Sequence, residues 1–98
     1  MAPAGLCVAI AARRFVQFRY NDRWRVAYPC AHGWLPTGNE GLRAHEVQLV
    51  NGRLRTLPGR MYLVSRLDSL TVTDQDFDAP PSGYRRGDRG MTRIHCEL

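Results

Sequence analysis

The stretch Arg23–Trp34, RWRVAYPCAHGW, decides how the rest of the chain is read. Its residues alternate in type with a period of two, as in a strand whose successive side chains point to opposite faces. One parity holds Trp24, Val26, Tyr28 and Cys30; the other holds Arg23, Arg25, Ala27 and Pro29. The alternation predicts an apolar, aromatic face that packs inward and an arginine face turned to water or to a ligand. Pro29 cannot donate to a strand ladder, so it belongs at an edge, a bulge or a bend. Gly33 marks a second bend.

Working outward, RFVQFRY before this stretch sets Val16, Phe18 and Tyr20 against Phe15, Gln17 and Arg19, a second strand. Asn21-Asp22 supplies turn formers between the two. Further back, Gly5–Arg14 has alanine-rich helical spacing through Leu6, Ala9, Ile10 and Arg13. Downstream, PTGNEG is a turn, and LRAHEVQLV alternates Leu42, Ala44 and Glu46 with Arg43, His45 and Val47. Asn51-Gly52 is a hairpin signal because both positions accept the positive φ such a turn needs. RLRTL continues the sheet to Pro58-Gly59, and RMYLVSRLDSLTVT is one long strand or two short ones.

Five short strands separated by turns predict a mainly β fold, a small barrel or sandwich carrying a short N-terminal helix. From Asp74 the chain is rich in Asp, Pro, Gly and Arg without periodicity. This segment is expected to be a surface loop anchored by Phe77, Tyr84 and Met91, with MTRIHCEL returning as a last strand. The organisation expected is one barrel domain over residues 1–78 and an extension over 79–98, packed on that domain or swapped from a second copy.

The 98 residues suffice for one modest core. No apolar run approaches the roughly 18 residues of a membrane span. The start, MAPAGLCVAIAARR, places its basic residues after its apolar run, the reverse of a secretory signal, so no leader is expected. The net charge is +5, and all 14 basic residues are arginine. Codon usage in a GC-rich genome explains the bias. Its physical consequence is independent of origin: the guanidinium fork grips carboxylate or phosphate at two points and stacks on aromatic rings. Such a surface suits an anionic or nucleotide-like partner.

Cys7, Cys30 and Cys96 are widely spaced and form no metal knuckle, so reduced thiols in a bacterial-type cytoplasm are expected. His95-Cys96 point to opposite faces of a strand, and no further ligands are evident, so no metal and no cofactor is expected. His32, His45 and His95 accompany no nucleophile motif, which argues against an enzyme. The apparent calcium loop at Asp74, Asp76 and Asp78 lacks its glycine and closing glutamate. For any one arginine the plain alternative is a solvated strand face; Arg25, Arg43 and His45 on neighbouring strands would together make one cationic patch. Tyr20 and Trp34, at strand ends, are placed to stay open for stacking.

FRYNDRWRVAYPCAHGW, followed by a glycine turn, LRAHEV and later YLVSRLDSLTV, resembles the WYL domain of bacteria over about residues 5–80. The matching positions are Tyr20, then Arg25 with Val26 and Pro29, then Tyr62, Arg66 and Leu67. The triplet that names the family is reduced to Glu40-Gly41-Leu42, and Ser65 stands where the family often has aspartate. The tail resembles that of small stand-alone bacterial proteins of this type. The resemblance implies a five-stranded Sm-like (Src-homology-3-type) barrel that binds single-stranded nucleic acid or nucleotides and regulates attached machinery, as in transcription control. It assigns Tyr20, Arg25 and Arg66 to ligand-facing positions, while strand parity adds Arg43 and His45. The expectation is a non-enzymatic ligand-sensing or nucleic-acid-binding module in the cytoplasm, with a homodimer or a separate effector protein as partner. The alternative is a structural or protein-interaction scaffold, such as a tail-swapped dimer, that has lost the ligand site.

Overall fold

A computed structural model describes residues 5–98. The first four residues, part of the segment read as lacking a secretory leader, lie outside the described residues. The elements are α1 (Gly5–Ala12), β1 (Arg14–Tyr20), β2 (Arg23–Trp34), β3 (Glu40–Val50), β4 (Arg53–Thr56) and β5 (Arg60–Leu63). A 3-10 turn (Val64–Arg66), β6 (Asp68–Asp76) and β7 (Arg93–Glu97) follow. The helix stops two residues short of the expected Arg14 because Arg13 turns left-handed at φ 53°, and its N–H bonds the Ile10 carbonyl at 3.2 Å.

All strand pairs are antiparallel, in the order β4-β3-β2-β1-β6. β5 adds to β3, and β7 adds to β2. The expected five strands are therefore seven, and the sheet is not closed into a barrel. The hairpins fall where the turn residues put them: Asn21-Asp22 and Asn51-Gly52 all have positive φ, and Gly38 closes the β2–β3 turn at φ 85°. Pro29 sits beside a register shift against β3, between the part of β2 that pairs with β1 and the part that pairs with β7. This is the bulge its missing donor required.

The core lies on one face of the sheet. Val16, Phe18 and Tyr20 of β1, Ala27 of β2, Leu42 and Ala44 of β3 and Tyr62 of β5 pack with Leu6 and Ala9 of α1. The parity of β2 is the reverse of the expectation. Arg25, Ala27 and Pro29 point inward, while Val26 and Tyr28 are only half-buried and Trp24 is 54% exposed. Small side chains explain the choice: Ala9, Ala27 and Ala44, all fully buried, let helix and sheet approach closely. A tryptophan and a tyrosine at the inward positions would hold them apart.

The outer face carries a second aromatic group. Phe77, where the tail begins, packs on Phe15 and Tyr28 with ring centroids 5.3 and 4.8 Å away. The tail then crosses this face to Arg43, and Met91, also buried, precedes β7. Cys96 of β7 is joined to Cys7 of α1 by a disulfide. This corrects the expectation of reduced thiols for those two residues; the buried Cys30 is free. Among the described residues no helix is long and apolar enough to cross a membrane.

Candidate anion-binding site

Tyr20, Arg25 and Arg66 come together at one end of the core, joined by Arg60 and Tyr62. The Arg25 guanidinium carbon lies 5.6 Å from the Tyr20 ring centroid and 5.7 Å from that of Tyr62. Arg60 lies 5.5 and 5.1 Å from the same rings, and Arg66 lies 5.9 Å from Tyr20. Such contacts spread positive charge over π faces. The cluster is largely closed from within. Tyr20 is only 5% exposed, and its hydroxyl oxygen accepts the Leu63 N–H at 3.2 Å, tying β1 to β5. Arg25 is buried and donates to Glu46 at 3.3 Å and to the Tyr20 carbonyl at 3.4 Å. Glu46, opposite Ala27 on β3, also accepts from Arg23 at 3.2 Å. Tyr20 is thus not an open stacking platform, and Arg25 is already occupied by a carboxylate. Arg66 remains exposed and donates to Asn21 at 3.3 Å.

Arg43 and His45 project from the opposite face of β3, because Leu42, Ala44 and Glu46 hold the inward parity. They share no patch with Arg25, although β2 and β3 are neighbours. They meet the tail instead. Arg43, His45 and Gly59 line a cavity of about 480 Å³ with Gly83, Tyr84 and the run Arg85–Arg89. Four of these lining groups are arginines and one, Asp88, is an acid. Asp88 takes Arg43 at two points, 2.6 and 3.1 Å. That contact holds the Asp88 carboxyl below its ordinary range, helped by the Gly90 N–H. It raises Arg43 in turn. Arg86 donates to Glu97 at 2.9 Å, while Arg85 and Arg89 have no ion pair among the described residues.

Burial pushes the His45 imidazole below its usual value, and the neighbouring Arg43 charge adds to this. Its Nδ1 lies 3.0 Å from the Leu57 carbonyl, so Nδ1 carries the proton and donates it. Nε2 is then an acceptor facing Gly59. A Cβ on Gly59 would stand 2.8 Å from that nitrogen, so glycine is what lets the β4–β5 connection close over His45. Burial also raises the Tyr84 phenol, with Glu97 contributing, and its hydroxyl is buried without a partner among the described residues.

Sequence reasoning found Arg43 and His45 but not Arg85, Arg86 and Arg89. The signal was the run YRRGDRG, which sets three arginines within five residues around Gly87, a turn glycine at φ 74°. Set beside known proteins, the chain matches no family model, no curated protein and no solved structure.

Proposed function

We propose that the chain is a non-enzymatic module that binds an anionic ligand, a nucleotide or a short single strand of nucleic acid. The observation that carries this reading is the outer cavity, where Arg43 and His45 of β3 meet three arginines of the tail. Arg85 and Arg89 supply forks for phosphate, and His45, bonded to Leu57 and covered by Gly59, holds the β4–β5 connection at the edge of the cavity. Arg66, a position implied by the WYL resemblance, and Arg60, which the resemblance does not include, form a second cationic spot over the Tyr20 ring. In this reading the sheet is a diverged, opened form of the Sm-like barrel, and the module works in the cytoplasm as a regulator of a partner's activity.

The test is fluorescence anisotropy of a labelled single-stranded oligonucleotide at rising salt. Each phosphate contact adds a log-log slope of roughly −0.7 on a single strand. Replacing Arg85 and Arg89 together by alanine therefore removes about 1.4 from the slope, two such contacts. Binding that is flat with salt, or untouched by the double substitution, sinks the reading.

A second reading is a protein-interaction scaffold, favoured by one observation. Trp24, Leu49, Val50 and Leu54 stand exposed, and Phe15, Val26, Val47, Leu49 and Leu54 line an apolar groove of about 320 Å³. Light scattering of the full chain checks it. A dimer mass that Leu54→Glu returns to monomer supports this scaffold; a monomer in both removes self-association from consideration.

A further inference from the structure

Three elements converge on one point beside the helix. Cys7 comes from α1, His32 from β2 and Cys96 from β7, and their donor atoms lie within 4.8 Å of one another. His32 Nδ1 is 3.8 Å from the Cys7 sulfur. Two ligands at zinc–sulfur and zinc–nitrogen distances, about 2.3 and 2.05 Å, stand about 3.6 Å apart across a tetrahedral angle. The pair therefore needs almost no movement to share an ion. The other imidazole nitrogen, Nε2, is buried without a hydrogen-bond partner among the described residues, and Glu40 Oε2 stands 3.8 Å from it. His32 is thus flanked by sulfur on one side and a carboxylate on the other, the order found where a carboxylate orients a metal-bound histidine. Register places Cys96 opposite His32 across β2 and β7, so backbone pairing presents the sulfur to the imidazole.

We propose that Cys7, Cys96 and His32 form a thiol-gated zinc site, closed to metal as the disulfide and opened by a dithiol reductant. A dithiol attacks the Cys7–Cys96 bond, leaves as its cyclic disulfide and delivers two thiols to the protein. Zinc then displaces two protons, binding two thiolates and Nδ1 of His32. The sulfurs, bonded to each other in this structure, move to about 3.8 Å apart on a tetrahedral ion. Soft sulfur donors select zinc over magnesium or calcium. With three protein ligands the fourth coordination position is left for a solvent or solute donor. Glu40 acts as a positioning residue on Nε2. In a reducing compartment the metal would take over the disulfide's role of tying α1 to β7. This inference is independent of the arginine-lined cavity.

The experiment uses the full chain with Cys30→Ala, which removes the third thiol. After anaerobic reduction with dithiothreitol and desalting, the chain is titrated with cobalt(II) as the spectroscopic stand-in for zinc. The expected result is one cobalt per chain with a thiolate-to-metal charge-transfer band and tetrahedral visible bands, both lost when zinc is added. The oxidised chain should give neither band. Cys96→Ser should abolish the site, and Glu40→Gln should weaken zinc about 10- to 100-fold with the thiolate band intact. Far-ultraviolet circular dichroism follows the fold throughout. If the reduced chain unfolds, zinc must restore it; failure to do so overturns the proposal. A reduced, folded chain without the bands overturns it equally, as do bands that persist in His32→Ala.

Discussion

Arg43 and Asp88, 45 residues apart, hold each other through two hydrogen bonds of 2.6 and 3.1 Å. This contact pins the tail across the outer face of β3, and it also neutralises one of the four arginines that line the cavity. Asp88→Asn therefore acts in two directions. The fold loses about 1.5–3 kcal/mol, the scale of a hydrogen bond to a charged group, measured by urea unfolding. Oligonucleotide affinity rises, because Arg43 is freed and a negative charge is gone. A variant that binds more weakly would mean that tail placement matters more than the local charge.

The same pair contributes to the acid side of the stability profile, together with His45 and His32, whose imidazoles burial holds below their usual value. His45 has its folded value lowered by burial, so stability is full above its unfolded value of about 6.5 and declines as pH falls below it. Asp88 is also lowered, so its contribution is full above about 3.9 and is lost as pH falls through its folded value. Thermal unfolding should show stability beginning to fall below about pH 6.5 and falling further below about pH 3.9. Asp88→Asn should lessen only the lower fall.

Arg25 and Glu46 are each only 6% exposed at the side chain, and they pair at 3.3 Å. Glu46→Gln strands a buried guanidinium, and a broken pair of this kind costs about 3–5 kcal/mol. Chemical denaturation measures it. Arg25→Ala leaves Glu46 with the half-exposed Arg23 and the Gln48 amide, which donates to it at 3.3 Å. Loss of ligand binding in Arg25→Ala would therefore report lost packing unless its unfolding midpoint is unchanged. The double variant Arg25→Met/Glu46→Leu should recover most of the stability.

Gly33 lies where β2 meets both β3 and β7. A Cβ there would collide with the Arg93 carbonyl oxygen. Gly33→Ala should displace β7 while the disulfide still tethers it to α1. Amide hydrogen exchange at Ile94 and Cys96 should accelerate, and exchange in β1 should stay near the parent rate. Protection of β7 equal to the parent would show that the backbone yields instead.

Burial pushes the Cys30 thiol up to about 12. After reduction of the disulfide, iodoacetamide under native conditions should label Cys7 and Cys96 and leave Cys30 unmodified, because the thiolate is the reactive form. Labelling of Cys30 at a comparable rate would show that β2 opens around its bulge.

Local chemistry alone settled much of the fold. Asn21-Asp22, Gly38 and Asn51-Gly52 specified their turns, because few residues tolerate positive φ. Alternation marked the strands, alanine and leucine spacing marked α1, and Phe77 and Met91 were recognisable as tail anchors. Three matters were decided only by tertiary packing. A period of two separates the faces of β2 but does not say which is inside. That choice fell to Arg25, Ala27 and Pro29, because a small surface admits α1 and Glu46 on the next strand accepts the arginine. The pairing of Cys7 with Cys96, 89 residues apart, depends on β7 reaching β2 through the glycine gap at Gly33. The gathering of Arg85, Arg86 and Arg89 over Arg43 and His45 depends on a tail without periodicity, whose path is set by Phe77 and the Arg43–Asp88 contact. Short-range propensity acts over a few residues, whereas these outcomes depend on contacts between segments far apart in the chain.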